Sequence, residues 1–229
     1  MLVAIKMCID KGGNKSWKMF TDFNEEFPYT NYKDLPKNLY GHLSGFTVSE
    51  WAKEKHPTYH VSWDSLRIYD FKGIKIYQPI TNTADVILYP YEKKHYVFIV
   101  GRSDVLDHVK SKLNKIFGEK RIKDIVFTRQ HLDRVLEKDA VTKKIIWWAG
   151  VETGLDGALK GSIPDVGHFV DEFESRGQAY YARYESAYLG ATVSISLKKK
   201  TLSSQKVDAD TLLRYFFEVI FPVLQEDNS

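Results

Sequence analysis

Five residues in one glycine-rich stretch have the types that a hard divalent cation takes: Asp156, Asp165, His168, Asp171 and Glu172 of GLDGALKGSIPDVGHFVDEFE. If the segment after Asp165 is a short helix, His168 and Asp171 or Glu172 stand one turn apart on it. The enzymatic reading is then a metal-dependent hydrolase or nuclease. Two features count against it. Acidic residues beside glycines are ordinary solvated surface, and no acidic-x-lysine strand follows Asp165, where the chain reads YARYE. His56, His60 and Asp64 form a second constellation. His60 and Asp64 share one face of a strand, and packing or a surface hydrogen bond explains them as well as catalysis does. There is no G-x-S-x-G elbow, no P-loop, no dinucleotide fingerprint and no H-E-x-x-H helix. The residues favour a binding protein over an enzyme and imply no cofactor.

Binding chemistry rests on cations and rings. Lys110, Lys112, Lys115, Lys120, Arg121 and Lys123 make one basic stretch, and Lys198, Lys199 and Lys200 another. Tyr96, Phe98, Tyr181 and Tyr184 lie in strand-like segments, where rings on an open sheet face could stack bases. The same lysines would equally solubilise helix backs, and the same rings would equally fill a core. Trp147 and Trp148 are adjacent in a strand and must point to opposite faces, so one of them is a candidate partner contact. Phe217 and Phe221, four apart and off the main apolar stripe of the last helix, are two more.

These residues need elements to position them. The opening LVAIKMCID reads as a strand rather than a signal peptide, with a GG turn leading into SWKMF as a hairpin return. Thr47 and Glu50 form a capping-box pattern that predicts a short helix in TVSEWAKEK. Strand chemistry fills 58–101, with a turn at Lys72-Gly73 and another at Glu92–Lys94. The spacing of Val105, Leu106, Val109, Leu113, Ile116 and Phe117 predicts a helix over 103–117, capped by Gly118. A helix near Thr128 and a strand in KKIIWWAG follow. VETGLDGALKGSIPD reads as a loop and the best domain boundary, giving parts 1–150 and 151–229 packed as one compact unit. QAYYARYE and ATVSISLKKK then read as strands. The closing helix sets Leu212, Leu213, Phe216, Val219, Ile220, Val223 and Leu224 on one face. Pro222 interrupts it at a cost of about 3 kcal/mol. Burying seven such side chains outweighs that several-fold, so the helix is expected to continue through Pro222 or kink there.

The whole chain agrees with this reading. Its 229 residues are 43% hydrophobic and carry a formal charge of +3, enough for a core but too balanced to announce nucleic acid by charge alone. A single cysteine, Cys8, leaves no internal disulfide and fits a reducing cytoplasm. No apolar run approaches the ~20 residues that span a bilayer.

The segment VILYPYEKKHYVFIVGRSDVLDHVKSKLNKIFG resembles the hairpin, glycine and helix of the TATA-box-binding-protein family, and YFFEVIFPVL is similar to the end of that family's final helix. The resemblance implies a saddle-like sheet with helices above it. A hairpin followed by a helix recurs, near 85–117 and near 178–225. The expected fold is therefore α+β, mostly antiparallel, with long helices on one face and two pseudo-repeated hairpin–helix units. The expected role is a non-enzymatic, cytoplasmic binding subunit in nucleic-acid handling. It would contact DNA or RNA directly or serve a larger nucleic-acid-binding protein of the mobile-element or antiviral-defence kind.

Overall fold

A computed structural model describes residues 3–12, 16–32, 34–51, 56–91, 94–152, 155–160 and 178–226. The chain forms two compact units, Cys8–Lys123 (the first unit) and Met1–Met7 with Asp124–Ser229 (the second). The divisions fall inside β1 (Val3–Asp10) and β6 (Ile122–Asp124). The described residues of the glycine-rich stretch, 151–152 and 155–160, fall in the second unit.

In the first unit β2 (Thr47–Trp51), β3 (Thr58–Phe71), β4 (Ile74–Tyr91) and β5 (Lys94–Gly101) pair antiparallel in sequence order. β2 corrects the helix expected there. Thr47 and Val48 are β-branched, and the edge of β3 offers Thr58–Ser62 as a ladder. β3 and β4 are joined by a two-residue turn whose residues both have positive φ, Lys72 at 51° and Gly73 at 82°. That is the turn geometry whose twist matches a hairpin, and Asp70 accepts a hydrogen bond from the Gly73 N–H at 2.9 Å. The expected hairpin return through SWKMF is instead α1 (Lys18–Thr21). α1 and α2 (Leu106–Phe117) pack together, and α2 ends at Gly118 with φ 112°. Phe20, Tyr59 and Phe117 interlock beneath them.

Arg121 is the buried cation of this unit. Its guanidinium grips Asp10 at 2.7 and 2.9 Å and lies over the Phe117 ring. Burial alone would raise the Asp10 carboxyl. Hydrogen bonds from Arg121, Trp17 and the Gly12 N–H outweigh it and hold the group below its ordinary value.

In the second unit the sheet order is β1, β11 (Thr201–Ser204), β10 (Ala191–Ser196), β9 (Gln178–Ser186), β7 (Ala140–Glu152), β8 (Leu155–Lys160), all antiparallel. β7 and β8 run through the segment expected to be a loop, and β7 accommodates its glycine with a register shift between Trp148 and Glu152. Burial alternates along β10, with Ala191, Val193 and Ile195 in the core. On that face lie α3 (Arg129–Asp139) and the closing helix.

The closing helix comprises α4 (Ala209–Tyr215), a π-helical turn (Phe216–Ile220) and α5 (Phe221–Glu226). Pro222 cannot donate to the carbonyl four residues back. The widened turn, closed by Phe221 N–H to the Phe216 carbonyl, spreads the strain that its ring would place on an α-turn. Beside it Tyr215 donates to Asp139 at 2.7 Å and accepts from Tyr184 at 2.6 Å, all three buried. Burial pushes both phenols above their ordinary range. The helices are not long as expected: α2, the longest unbroken α-helical run described, has twelve residues. No described helix is long and apolar enough to cross a membrane.

Candidate nucleic-acid interface

Strand register brings together residues that the sequence scatters. Trp147 on β7 pairs with Tyr181 on β9, Tyr181 pairs with Ser196 on β10, and Ser196 pairs with Thr201 on β11. The turn at 197–200 carries Lys198 and Lys199 and closes one end of this row. The Trp147 and Tyr181 rings are 5.5 Å apart, and Tyr180 meets Trp147 edge-on at 6.3 Å. Trp147 is 40% exposed and Tyr181 half-buried: Ser194, Ser196 and Arg183 share their face, while α3 and the closing helix lie on the other.

Past Ser196 the row is closed, because Thr201 and its pairing partner Lys6 lie buried on this same face. Lys6, buried, donates to the Lys199 carbonyl at 2.7 Å and pairs with Asp124 at 3.3 Å. Lys200 donates to the Phe127 carbonyl, and its burial pushes the ammonium below its ordinary value despite Asp124. Lys198 and Lys199 point their charge to solvent. Lys200 is therefore an anchor rather than an open cation.

Several other expected contacts are not available for stacking or for phosphate. Tyr96, Phe98 and Tyr184 are buried. Trp148 is buried, as its alternation with Trp147 requires, and Phe221 is buried against Phe216 and the half-buried Phe217. Arg121 is committed to Asp10. Lys112 and Lys115 both clasp Glu25, and together they outweigh its burial and lower the carboxyl. Lys110 is half-buried, and Lys120 and Lys123 are exposed. The side chain of Asp156 and all of Asp165, His168, Asp171 and Glu172 lie outside the described residues, and among the described residues no three His, Cys, Asp or Glu side chains gather as for a metal. His60 pairs with Asp85 at 2.8 Å, and Asp64 accepts from Ser44 N–H and Thr81.

No family model, curated protein or solved structure matches this chain.

Two features escaped the sequence reading. The first is a cleft of about 640 Å³ in the first unit, where His108 stacks on Trp63 at 4.8 Å beside Glu25 and Lys112. Desolvation and Lys112 push the imidazole below its ordinary value, against the pull of Glu25. Gly45 helps to build it: a Cβ there would sit 1.6 Å from the Glu25 carbonyl oxygen, so only glycine allows the backbones to approach. The second is the far half of the β3–β4 ribbon, where Tyr69, Phe71, Ile74 and Ile76 are exposed by 43, 61, 66 and 51%. Its signal was present in the sequence as an uninterrupted strand-forming run on both sides of Lys72-Gly73.

Proposed function

We propose that this chain is a non-enzymatic binding subunit in nucleic-acid handling, and that it contacts single-stranded nucleic acid on the face of the second unit's sheet opposite α3 and the closing helix. The row Trp147–Tyr181–Ser196 ending in Lys198 and Lys199 carries the reading. Every base has a π-face, so neighbouring exposed rings accept a single strand without regard to sequence. Two lysines at the row's end meet the backbone charge. It works in the cytoplasm, alone or as the accessory chain of a larger nucleic-acid-binding complex of the mobile-element or defence kind. A saddle of two pseudo-repeated hairpin–helix units, as in the TATA-box-binding-protein family, is the architecture that goes with this reading.

Fluorescence anisotropy of a labelled single-stranded oligonucleotide at low salt tests it. Two phosphate contacts predict a shallow salt slope, about −1.4 in log–log form. Each lost stack is worth about 1–3 kcal/mol, so Trp147→Ala should weaken binding by about 5- to 150-fold. An anisotropy that stays at the free-oligonucleotide value, for single strand and duplex alike, removes the proposal.

A further inference from the structure

We infer that the ring-bearing face of the second unit's sheet tells RNA from DNA, with Ser196 as the residue that reads the ribose 2′-hydroxyl. The inference rests on the reading of that face as a single-strand site and names which nucleic acid it takes. β10 alternates strictly. Ala191, Val193 and Ile195 enter the core, and every residue turned to the other face, Thr192, Ser194 and Ser196, carries a hydroxyl. Register sets this column beside the rings, since Tyr181 pairs with Ser196 and Arg183 with Ser194. From β7 outward the row therefore runs ring, ring, hydroxyl, and then the two lysines of the turn.

A nucleotide has the same order of parts: base, ribose, phosphate. The ~4.8 Å between neighbouring strands is a step of the size that separates a base from its own ribose. With a base on Tyr181, the ribose comes over Ser196 and the phosphate over the turn that carries Lys198 and Lys199. The strand cannot run on across the sheet in that row, because Thr201 and Lys6 are buried there.

Ser196 is set for this role. Its Oγ accepts a hydrogen bond from the Lys199 N–H at 3.2 Å, which ties the hydroxyl to the same turn that presents the lysines. That bond uses one lone pair. A serine hydroxyl also has a hydrogen to give and a second lone pair, and a 2′-hydroxyl both donates and accepts. A deoxyribose sets a methylene over the same hydroxyl and offers nothing for the water it displaces. Arg183 crosses β10 to donate to the Gln205 side-chain oxygen at 3.4 Å, at the end of the column away from Ser196. Ser196 is half-buried rather than sealed. The discrimination is therefore that of a single neutral hydrogen bond, about 2- to 12-fold.

Fluorescence anisotropy of the full chain with labelled oligouridylate, oligodeoxyuridylate and 2′-fluoro-oligouridylate of one length is the test, because the three share every base and phosphate. The ribose form should bind about 2- to 12-fold more tightly than the deoxy form. The 2′-fluoro form keeps the RNA-like sugar pucker but hydrogen-bonds poorly, and should bind nearer the deoxy form. Ser196→Ala should bring RNA and DNA to equal affinity, and Ser196→Thr, which keeps the hydroxyl, should retain the preference. The readout is a ratio, so a general loosening of the turn shifts both affinities and leaves it in place. Equal binding of RNA and DNA, tighter binding of DNA, or a preference that survives Ser196→Ala overturns the inference and leaves the single-strand site standing. A 2′-fluoro form that binds as tightly as RNA does the same. Binding of none of the three removes the site and the inference together.

Discussion

Tyr59, Val61 and Trp63 lie on the same face of the same strand as Arg67, Tyr69 and Phe71, yet the first three are buried and the last three exposed. Residue type does not separate them, since each set includes two aromatic rings. Cover does. At the root Trp17 stacks on Tyr59 at 5.8 Å, while Phe46 and His108 stack on Trp63 at 5.6 and 4.8 Å. A twelve-residue helix is about 18 Å long, whereas a fourteen-residue strand runs to about 46 Å. β3 therefore outlasts the helix that roofs it. Alternation in a strand names a face, and only the length of the covering element says how much of that face is core.

The largest effects should fall at the covered end. Arg121→Met leaves the Asp10 carboxylate buried without its cation, and breaking such a pair costs about 3–5 kcal/mol. Trp63→Ala removes a buried ring from between Phe46 and His108 and should cost a similar amount, about 3–5 kcal/mol. Urea denaturation of the full chain measures both. A midpoint within error of wild type for Trp63→Ala would mean that the root is no better packed than the tip, and the comparison would collapse.

Acid sharpens the same contrast at smaller amplitude. The Asp10 carboxyl is held below its ordinary value in the folded chain. Its contribution to stability is fully present above the unfolded value, near 3.9. It is lost as pH falls through the lower folded value, because the unfolded chain then binds the extra proton. The urea midpoint should decline across this acidic window, and the decline should be shallower in Arg121→Met, whose carboxyl has lost its main hydrogen-bond donor. Glu25, lowered by Lys112 and Lys115, adds in the same direction.

Local chemistry was legible in the sequence wherever one element decided it. The 3.6-residue spacing and Gly118 located α2, although it begins at Leu106 rather than Ser103. The apolar stripe from Leu212 to Leu224 located the closing helix, which passes Pro222 as expected. Thr47–Trp51 went the other way because a capping-box pattern is a local preference worth about 1 kcal/mol, and an open strand edge at Thr58–Ser62 offers more. The row at Trp147 and Tyr181 was legible only as separate candidates, since register across β7, β9 and β10 depends on bulges between Ala140 and Thr142, Lys143 and Ile145, and Trp147 and Trp148. Glu25 was invisible as the partner of two expected phosphate-binding lysines because 87 and 90 residues separate it from them.

The smallest expected effect belongs to the tip. Phe71→Ala removes a ring that is mostly in water and touches little beyond its own turn, where Lys72 lies over it. Surface changes of that kind shift stability by no more than about 0.5 kcal/mol. Phe71→Ala should leave the urea midpoint in place while Trp63→Ala, eight residues back on the same face, moves it far. A Phe71→Ala midpoint that falls in dilute solution would show that the ring already has a partner within its own chain, and would return the tip to the core.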